Sequence, residues 1–360
     1  MQLFVGDSAF FCSDWYGRER HFIITAQEIE KRDASVKAAI ITRPGEPEVL
    51  EVQEVETPEA IGDQVRVRVR AAGINRADLL QRAGGYPAPP GSSAQIPGLE
   101  FAGEVETVGP LVRLWKPGQR VMGLAGGGAQ AEYIVVQEGL LVEIPERLDF
   151  VQAAGVPEVF MTAHDGLFTQ AGLRMGERVL IHAAGSGVGT AAIQLAKASG
   201  ATVFGTSRTP AKLEQARELG LDYALSAQNF AEEISQLTNG QGVHVVLDFI
   251  GADYLEQNMR ALSNWGRLVI LATLSGVQGT LPIGLLMGKR LTVKGVTLRT
   301  RTLEEKLAVT RAFATSVLPL LSSGKVKPII ERTYPLAELG AAHTVMSQNQ
   351  NFGKLIVTLD

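Results

Sequence analysis

The sequence predicts an α/β protein in which a doubly wound parallel-sheet domain is inserted into a discontinuous β-rich domain. Three observations point to this. Between Val36 and about Ile144, short apolar or alternating runs succeed one another with Gly and Pro between them, as in a strand-rich domain. From about Phe150 the rhythm changes to strands alternating with helical spacing, which implies parallel strands joined by crossover helices. The chain closes on KLIVTLD, an apolar strand that returns to the first domain.

The first 35 residues fit poorly with the rest of the chain. They lack a basic n-region followed by an apolar core and a small-residue cleavage site, so no secretory signal is expected. VKAAIIT, QVRVRVRAAGI, FAGEVETVG, QRVMGLA and AEYIVV then read as strands. In VRVRVR (65–70) the valines fall on one face and the arginines on the other, giving a half-buried strand with a solvated basic face. NRAD (75–78) reads as a helix start, with Asn75 as N-cap and Asp78 at the third helical position. Tyr86 lies between Gly-Gly and Pro-Ala-Pro-Pro, so a stiff loop presents it. Further on, RVLIHAAG (178–185) is a buried strand and GTAAIQLAKAS (189–199) a helix ended by Gly200. TVFGTS is the next strand, and PAKLEQAREL the next helix, closed by Gly220. HVVLDFIG and GRLVILAT repeat the strand signature, and a helix, TLEEKLAVTRAFATSVLPLLSSG, comes after residue 300.

Composition narrows the functional classes. A chain of 360 residues, 45% apolar and 20% charged, can build two domains with real cores, and its 39 glycines suit many tight turns. The net charge of −4, with Lys and Arg scattered, offers no footprint for nucleic acid. One cysteine, Cys12, excludes an intramolecular disulfide and a multi-cysteine zinc site. His21, His164, His182, His244 and His343 show no metal-ligand spacing, so no metal is expected. No apolar run is long enough for a membrane span, and a cytoplasmic location is expected.

AAGSGVGT (183–190) closes a strand and opens a helix, the context in which a glycine triplet gains meaning. Gly187 and Gly189 let the backbone approach a pyrophosphate and let the helix pack on the strand, and the helix N-terminus supplies unpaired N–H groups. A tight turn without a ligand is the plainer alternative. The next strand ends Thr206-Ser207-Arg208, with no acid for a ribose 2′-hydroxyl. Ser207 and Arg208 can donate to a 2′-phosphate instead. With Thr209 as N-cap and Pro210 at the first helical position, Lys212 lies in the first turn, where a cation opposes the helix dipole unless a phosphate is bound. These residues favour NADPH; a solvated Lys212 is the alternative.

Taken together, GINRADLLQRAGGYPAPPG, IPGLEFAGEV, AAGSGVGTAAIQLAKASGA, HVVLDFIGA and NFGKLIV resemble the zinc-independent quinone oxidoreductases. These form a zeta-crystallin-related group of the medium-chain dehydrogenase/reductase superfamily. The resemblance covers residues 36–360 and implies a Rossmann domain (159–301) inserted into a GroES-like catalytic domain (36–158 and 302–360). Residues 1–35 are left as an N-terminal extension. Val36 stands where many relatives start with Met, so a start-site artefact and a genuine extension both remain open. Zinc-dependent members carry a Cys near position 75 and Gly-His-Glu where Gly98-Leu99-Glu100 stands here.

By the same resemblance, Asn75 and Tyr86 belong at the nicotinamide end of the cleft as catalytic candidates, Asn75 also touching the cofactor. The Tyr86 phenol would orient the acceptor or donate to its developing oxyanion, with solvent able to supply the proton. Thr162 would touch the cofactor ribose; Ser186, Gly187, Val188 and Gly189 would meet the pyrophosphate. Ile250, Gly251, Leu271 and Ala272 lie at later strand ends, and Leu298, Arg299 and Asn351 would close the nicotinamide side. Where relatives place an adenosine-contacting Tyr, this chain has Ala227. His182 reads as a packed core histidine. The implied activity is NADPH-dependent hydride transfer to quinones. A 2-alkenal or enoyl reductase, or a dinucleotide-binding redox-sensing or RNA-binding protein, are the alternatives, the acidic balance counting against RNA. A homodimer is expected through the strands around 281–296.

Overall fold

The computed structural model of the protein describes residues 35–359. The expected N-terminal extension, with Cys12 and His21, lies outside the described residues apart from Ser35, which opens the first strand. β1 (Ser35–Ile41) and β2 (Leu50–Glu56) form an antiparallel ribbon, Val36 opposite Val55 and Ile41 opposite Leu50. β3 (Gln64–Ile74) has the bounds its alternation predicts, with Val65, Val67 and Val69 sealed in the core. Arg68 is exposed as expected, while its two neighbours on that face are ion-paired. Arg66 pairs with Glu106 at 2.5 Å and Arg70 with Glu104 at 2.6 Å on the neighbouring strand, contacts worth little individually at a half-exposed surface.

α1 (Arg76–Arg82) starts at Asn75, whose backbone is extended, and the Asp78 carboxylate accepts from the Asn75 N–H at 2.8 Å. β4 (Glu100–Val108), β5 (Arg120–Leu124), β6 (Tyr133–Gln137) and β7 (Leu141–Glu143) complete the first stretch. α2 (Phe150–Ala154) and α3 (Pro157–His164) lead out of it, and a single π-type turn, Asp165–Gln170, prolongs α3.

The second stretch is the predicted parallel sheet. β8 (Arg178–Ile181), β9 (Thr202–Ser207), β10 (Tyr223–Ser226), β11 (Val243–Asp248), β12 (Leu262–Ile270) and β13 (Thr292–Gly295) lie side by side in the order β10-β9-β8-β11-β12-β13, all parallel. The connecting helices are α4 (Gly187–Ala198), α5 (Pro210–Arg217), α6 (Phe230–Leu237), α7 (Leu255–Ala261) and α8 (Ile283–Lys289). Strand order reverses between β8 and β11, which opens a crevice at their carboxyl ends.

The last stretch holds α9 (Leu303–Ser316), α10 (Leu318–Ser323), β14 (Ile330–Pro335), α11 (Leu339–Ser347) and β15 (Lys354–Thr358). The single helix read after residue 300 is two, broken at Val317, because Pro319 cannot continue the hydrogen-bond ladder and its ring crowds the preceding turn. β15 pairs antiparallel with β3, Leu355 opposite Ile74, so the chain does return to its first sheet, of order β14-β15-β3-β4-β5-β7 with β6 also on β3. One apolar core runs from Ala71, Ala102 and Met122 through Phe160 and Met161 on α3 to Val179 and Ile181. α3 is thus the bridge between the two sheets, and the site lies along it.

Candidate active site

A cleft of about 520 Å³ opens at the carboxyl ends of the parallel strands, within the size range of ligand pockets. Ten of the residues expected to form the site line it: Asn75, Ser186, Gly187, Val188, Ser207, Arg208, Lys212, Ile250, Ala272 and Asn351. Gly189, Thr162, Gly251 and Leu271 are outside the lining, Leu298 and Arg299 face a second cavity, and Tyr86 lines neither.

The glycine loop shows why each residue stands where it does. Ser186 caps α4, its Oγ accepting from the Gly189 N–H at 3.0 Å, which starts the helix two residues earlier than its apolar spacing suggests. The N–H groups of Gly187 and Val188 in the first turn have no intrahelical acceptor and can serve an anion. A Cβ on Gly187 would sit 2.8 Å from Lys354 Cδ, and one on Gly185 would sit 2.9 Å from Lys212 Cβ, so both must be glycine for the loop to lie this close. Gly189 serves the second of the two roles read for it, the packing of helix on strand, and lies outside the cleft lining. A Cβ there would meet the Ala183 carbonyl at 2.4 Å, so it packs helix against strand. The Thr162 hydroxyl, outside the cleft lining, is buried with no hydrogen-bond partner.

Cations gather at the end of β9. Arg208 is exposed, and Arg76 and Lys212 line the same wall. Burial and then the charge of Arg208 lower the Arg76 pKa; burial lowers that of Lys212, with Arg76 and Arg208 also opposing its charge and Glu331 supporting it. Lys212 is not the solvated cation of the alternative reading. Its Nζ donates to the carbonyls of Asn349 (2.6 Å) and Asn351 (2.7 Å), tying α5 to the last stretch of the chain, and one of its three protons remains for a ligand. Thr209 holds the N-cap position of α5 without a capping bond from its side chain. Arg76 donates to the Met346 carbonyl at 3.0 Å and to Asn349 Oδ1 at 2.7 Å. Carbonyl dipoles therefore hold these two cations in place without neutralising them.

At the other end of the cleft a polar network joins the domains. Lys354 Nζ lies 2.5 Å from Glu100 Oε1 and donates to Asn75 Oδ1 (2.7 Å) and the Ile74 carbonyl (2.6 Å), with the Lys354 and Glu100 side chains almost sealed from solvent. Asn75 Nδ2 donates to Glu100 Oε1 at 2.9 Å, and Glu100 Oε2 accepts from the Glu158 N–H at 2.8 Å. Leu99, beside Glu100, is 1% exposed and packed away. Burial pushes Asp78 up to about 6, even though it accepts from the N–H groups of Asn75 and Gly98. Burial also pushes Glu158 up to about 8, with the charge of Glu100 adding to it.

A second cavity, about 610 Å³, adjoins at α3, where Val159 faces the first and Glu158 the second. Arg299 lines it, donating to the carbonyls of Gly126 (2.9 Å) and Tyr86 (3.2 Å) and to Gln81 Oε1 (2.5 Å). Its guanidinium stacks over the Tyr86 ring, 4.9 Å from the centroid. Arg299 thus holds the Tyr86 loop in place. Burial raises the pKa of Tyr86, so its phenol stays protonated and can donate a hydrogen bond.

The residues that sequence reasoning missed come from distant segments. Lys354, Glu158 and Arg76 carry no local signal, since each looks like an ordinary surface charge until the segments meet. Tyr254, in the turn after β11, puts an aromatic ring in the cleft that Ala227 cannot supply, packing edge-on to His182. His182 itself is a buried core histidine as expected, bonded to Thr206 Oγ1 (2.7 Å) and Asn258 Oδ1 (2.6 Å), and burial lowers its pKa to about 4.

Residues 62–146 match the alcohol dehydrogenase GroES-like domain, and residues 187–314 the zinc-binding dehydrogenase family. The quinone oxidoreductase of Pseudomonas aeruginosa is 37% identical over 320 residues, 87% of this chain and 96% of that protein. A crystal structure of an NAD-dependent alcohol dehydrogenase superposes with a TM-score of 0.81 at 32% identity, covering 90% of this chain and 100% of that one. CurK enoyl reductase superposes at 0.80 with 29% identity, over 91% of this chain and 100% of its own. The chain belongs to the quinone oxidoreductase family of the medium-chain dehydrogenase/reductase superfamily. It is an oxidoreductase whose parallel sheet implies NAD(H) or NADP(H) as cofactor.

Proposed function

We propose that this enzyme uses NADPH to reduce quinones without a metal. The observation that carries the reading is the Lys354–Glu100–Asn75 network. Where zinc-dependent relatives offer a histidine, Leu99 has no donor atom, and the Lys354 ammonium already occupies the neighbouring carboxylate. A divalent cation there would meet a fixed positive charge. Without a Lewis acid the acceptor must carry its own activation, as a quinone or conjugated enone does.

The α4 N-terminus and the glycine cradle fit a pyrophosphate, with Ser186, Gly187 and Val188 closest, and Ile250, Ala272, Asn75 and Asn351 lining the remainder. Ser207, Arg208 and Arg76 fit a 2′-phosphate, assisted by the third proton of Lys212. Thr162 would support the ribose from behind the lining, as would Gly189, Gly251 and Leu271. Bound NADPH supplies the hydride. Tyr86 donates a hydrogen bond to the acceptor oxygen, and Leu298 and Arg299 shape its cavity.

The test is calorimetric titration with NADPH and NADH in parallel, followed by turnover of 9,10-phenanthrenequinone. At least tenfold tighter NADPH binding with turnover is expected; equal affinities would remove the phosphate site. A second reading, reduction of 2-alkenals or enoyl groups, is favoured by the likeness to CurK enoyl reductase. Comparing kcat/KM for a naphthoquinone and a medium-chain enal separates the two. NADPH binding with no turnover of either would point instead to a sensing role. Among the described residues no helix is long and apolar enough to cross a membrane. We also propose a homodimer through the outer edge of β13, beside which Ile283 and Met287 are 61% and 72% exposed; a monomeric mass by light scattering would refute it.

A further inference from the structure

Among the described residues at the domain junction, Glu158 carries the carboxyl group that the polar network leaves unused. Asp78 accepts two backbone N–H groups, and Glu100 is held by Lys354, Asn75 and the Glu158 N–H. Among the described residues the Glu158 carboxyl itself forms no hydrogen bond and no ion pair, and it faces the second cavity. Its backbone is anchored by the 2.8 Å bond from its N–H to Glu100, at the N-terminal turn of the helix that bridges the two sheets. Arg299 shares the cavity but turns its donors to Gly126, Tyr86 and Gln81. The walls beside it include Leu124, Ile134 and Leu298, surroundings suited to an acceptor with a conjugated apolar body.

We propose that Glu158 is the proton donor of the reaction, delivering a proton from its carboxylic acid to the reduced acceptor in the second cavity. The inference rests on the proposed reductase function and completes it. The hydride of NADPH adds to the acceptor and leaves it with a negative charge on oxygen, a hydroquinone monoanion or an enolate. The O–H bond of Glu158 then breaks as an O–H bond forms on the hydroquinone, or a C–H bond at the α-carbon of the enolate. NADPH leaves as NADP⁺, and the carboxylate regains its proton from water. The acceptor gains one hydride and one proton.

The electrostatics agree with this geometry. Burial raises the Glu158 pKa, and the charges of Glu100 and Asp78 raise it further while Lys354 and Arg299 oppose them. The charge of Glu158 also works to raise the pKa of Tyr86 and of Lys306, which lines the same cavity. With its pKa pushed up to about 8, the group is an acid at neutral pH and can be reprotonated there, as a proton donor must be.

The test compares wild type with Glu158→Gln and Glu158→Asp. Isotope-edited infrared spectroscopy of the unliganded protein should show a carboxylic acid band that fades as pH passes about 8 and is missing in Glu158→Gln. In Glu158→Gln, kcat for an enal should fall about 10²-fold, and less for a quinone, whose monoanion water protonates readily. The alkaline limb of the kcat profile should disappear, Glu158→Asp should restore part of the rate, and NADPH affinity should stay within about twofold. A Glu158→Gln enzyme with wild-type kcat and an unchanged alkaline limb overturns the role of Glu158 alone, as does a carboxyl already ionised at pH 6. If the wild type turns over neither acceptor, the reductase reading falls and the proton-delivery role falls with it.

Discussion

The two ends of the cleft are built in opposite ways. The glycine end is local: Ser186 caps α4 for Gly189, and the strand, loop and helix proposed to hold a pyrophosphate are contiguous from Arg178 to Ala198. The far end is assembled from four segments: Asn75 after β3, Glu100 on β4, Glu158 on α3 and Lys354 on β15. A local site depends on backbone shape and tolerates no added Cβ. A convergent site depends on charge balance, and removing one partner exposes the rest.

The sharpest way to break this contrast is Lys354→Met. It strands Glu100 as an unpaired buried charge and should destabilise the fold by about 3–5 kcal/mol in urea unfolding, with a Lys354→Met/Glu100→Gln double variant recovering part of the loss. Equal losses in the single and double variants would show that the pair is not coupled. Next in size, Arg208→Ala should weaken NADPH binding by about 1.5–3 kcal/mol and leave NADH untouched in parallel calorimetric titrations. Arg76→Ala should act in the same direction from the other domain, and an equal loss for both nucleotides would assign these arginines to a different contact. At the local end, Gly189→Ala should lower stability by about 1–3 kcal/mol, because the new methyl meets the Ala183 carbonyl, whereas Gly187→Ala, whose methyl meets Lys354 Cδ at the cleft wall, should lower both stability and nucleotide affinity. Thermal unfolding with and without NADPH distinguishes the two.

The last comparison is a pH dependence of stability. Glu158 is raised from an ordinary 4.5 to about 8, so the folded state keeps a proton that the unfolded chain has lost. Stability therefore falls as pH rises from about 4.5 to about 8, and the loss is complete above that. Asp78 has the same sign between about 3.8 and about 6, whereas His182, lowered from 6.5 to about 4, makes stability fall as pH falls through that window. Urea midpoints at pH 5, 7 and 9 should show Glu158→Gln gaining on the wild type as pH rises. Parallel curves would mean that Glu158 titrates alike in both states.

Wherever the physics is local, the sequence alone specified the outcome. QVRVRVRAAGI and TVFGTS have the strand bounds their patterns predict, Asp78 returns to the Asn75 N–H, and the glycine loop is set by strand, turn and cap residues within one short stretch. The inserted architecture was legible too, because an apolar last strand has to find a sheet and β3 offers its edge. Only the tertiary structure decided that the Lys212 ammonium is tied to Asn349 and Asn351, that Arg76 joins Arg208, and that Tyr254 rather than residue 227 brings an aromatic ring to the cleft. It alone placed Lys354 on Glu100 and left Glu158 facing a cavity. The physical reason is range. Caps, turns and periodicity act over a few residues, whereas the charge and hydration of a side chain depend on whatever the fold brings against it, and residues 75, 100, 158 and 354 become neighbours only when the chain has closed on its first sheet.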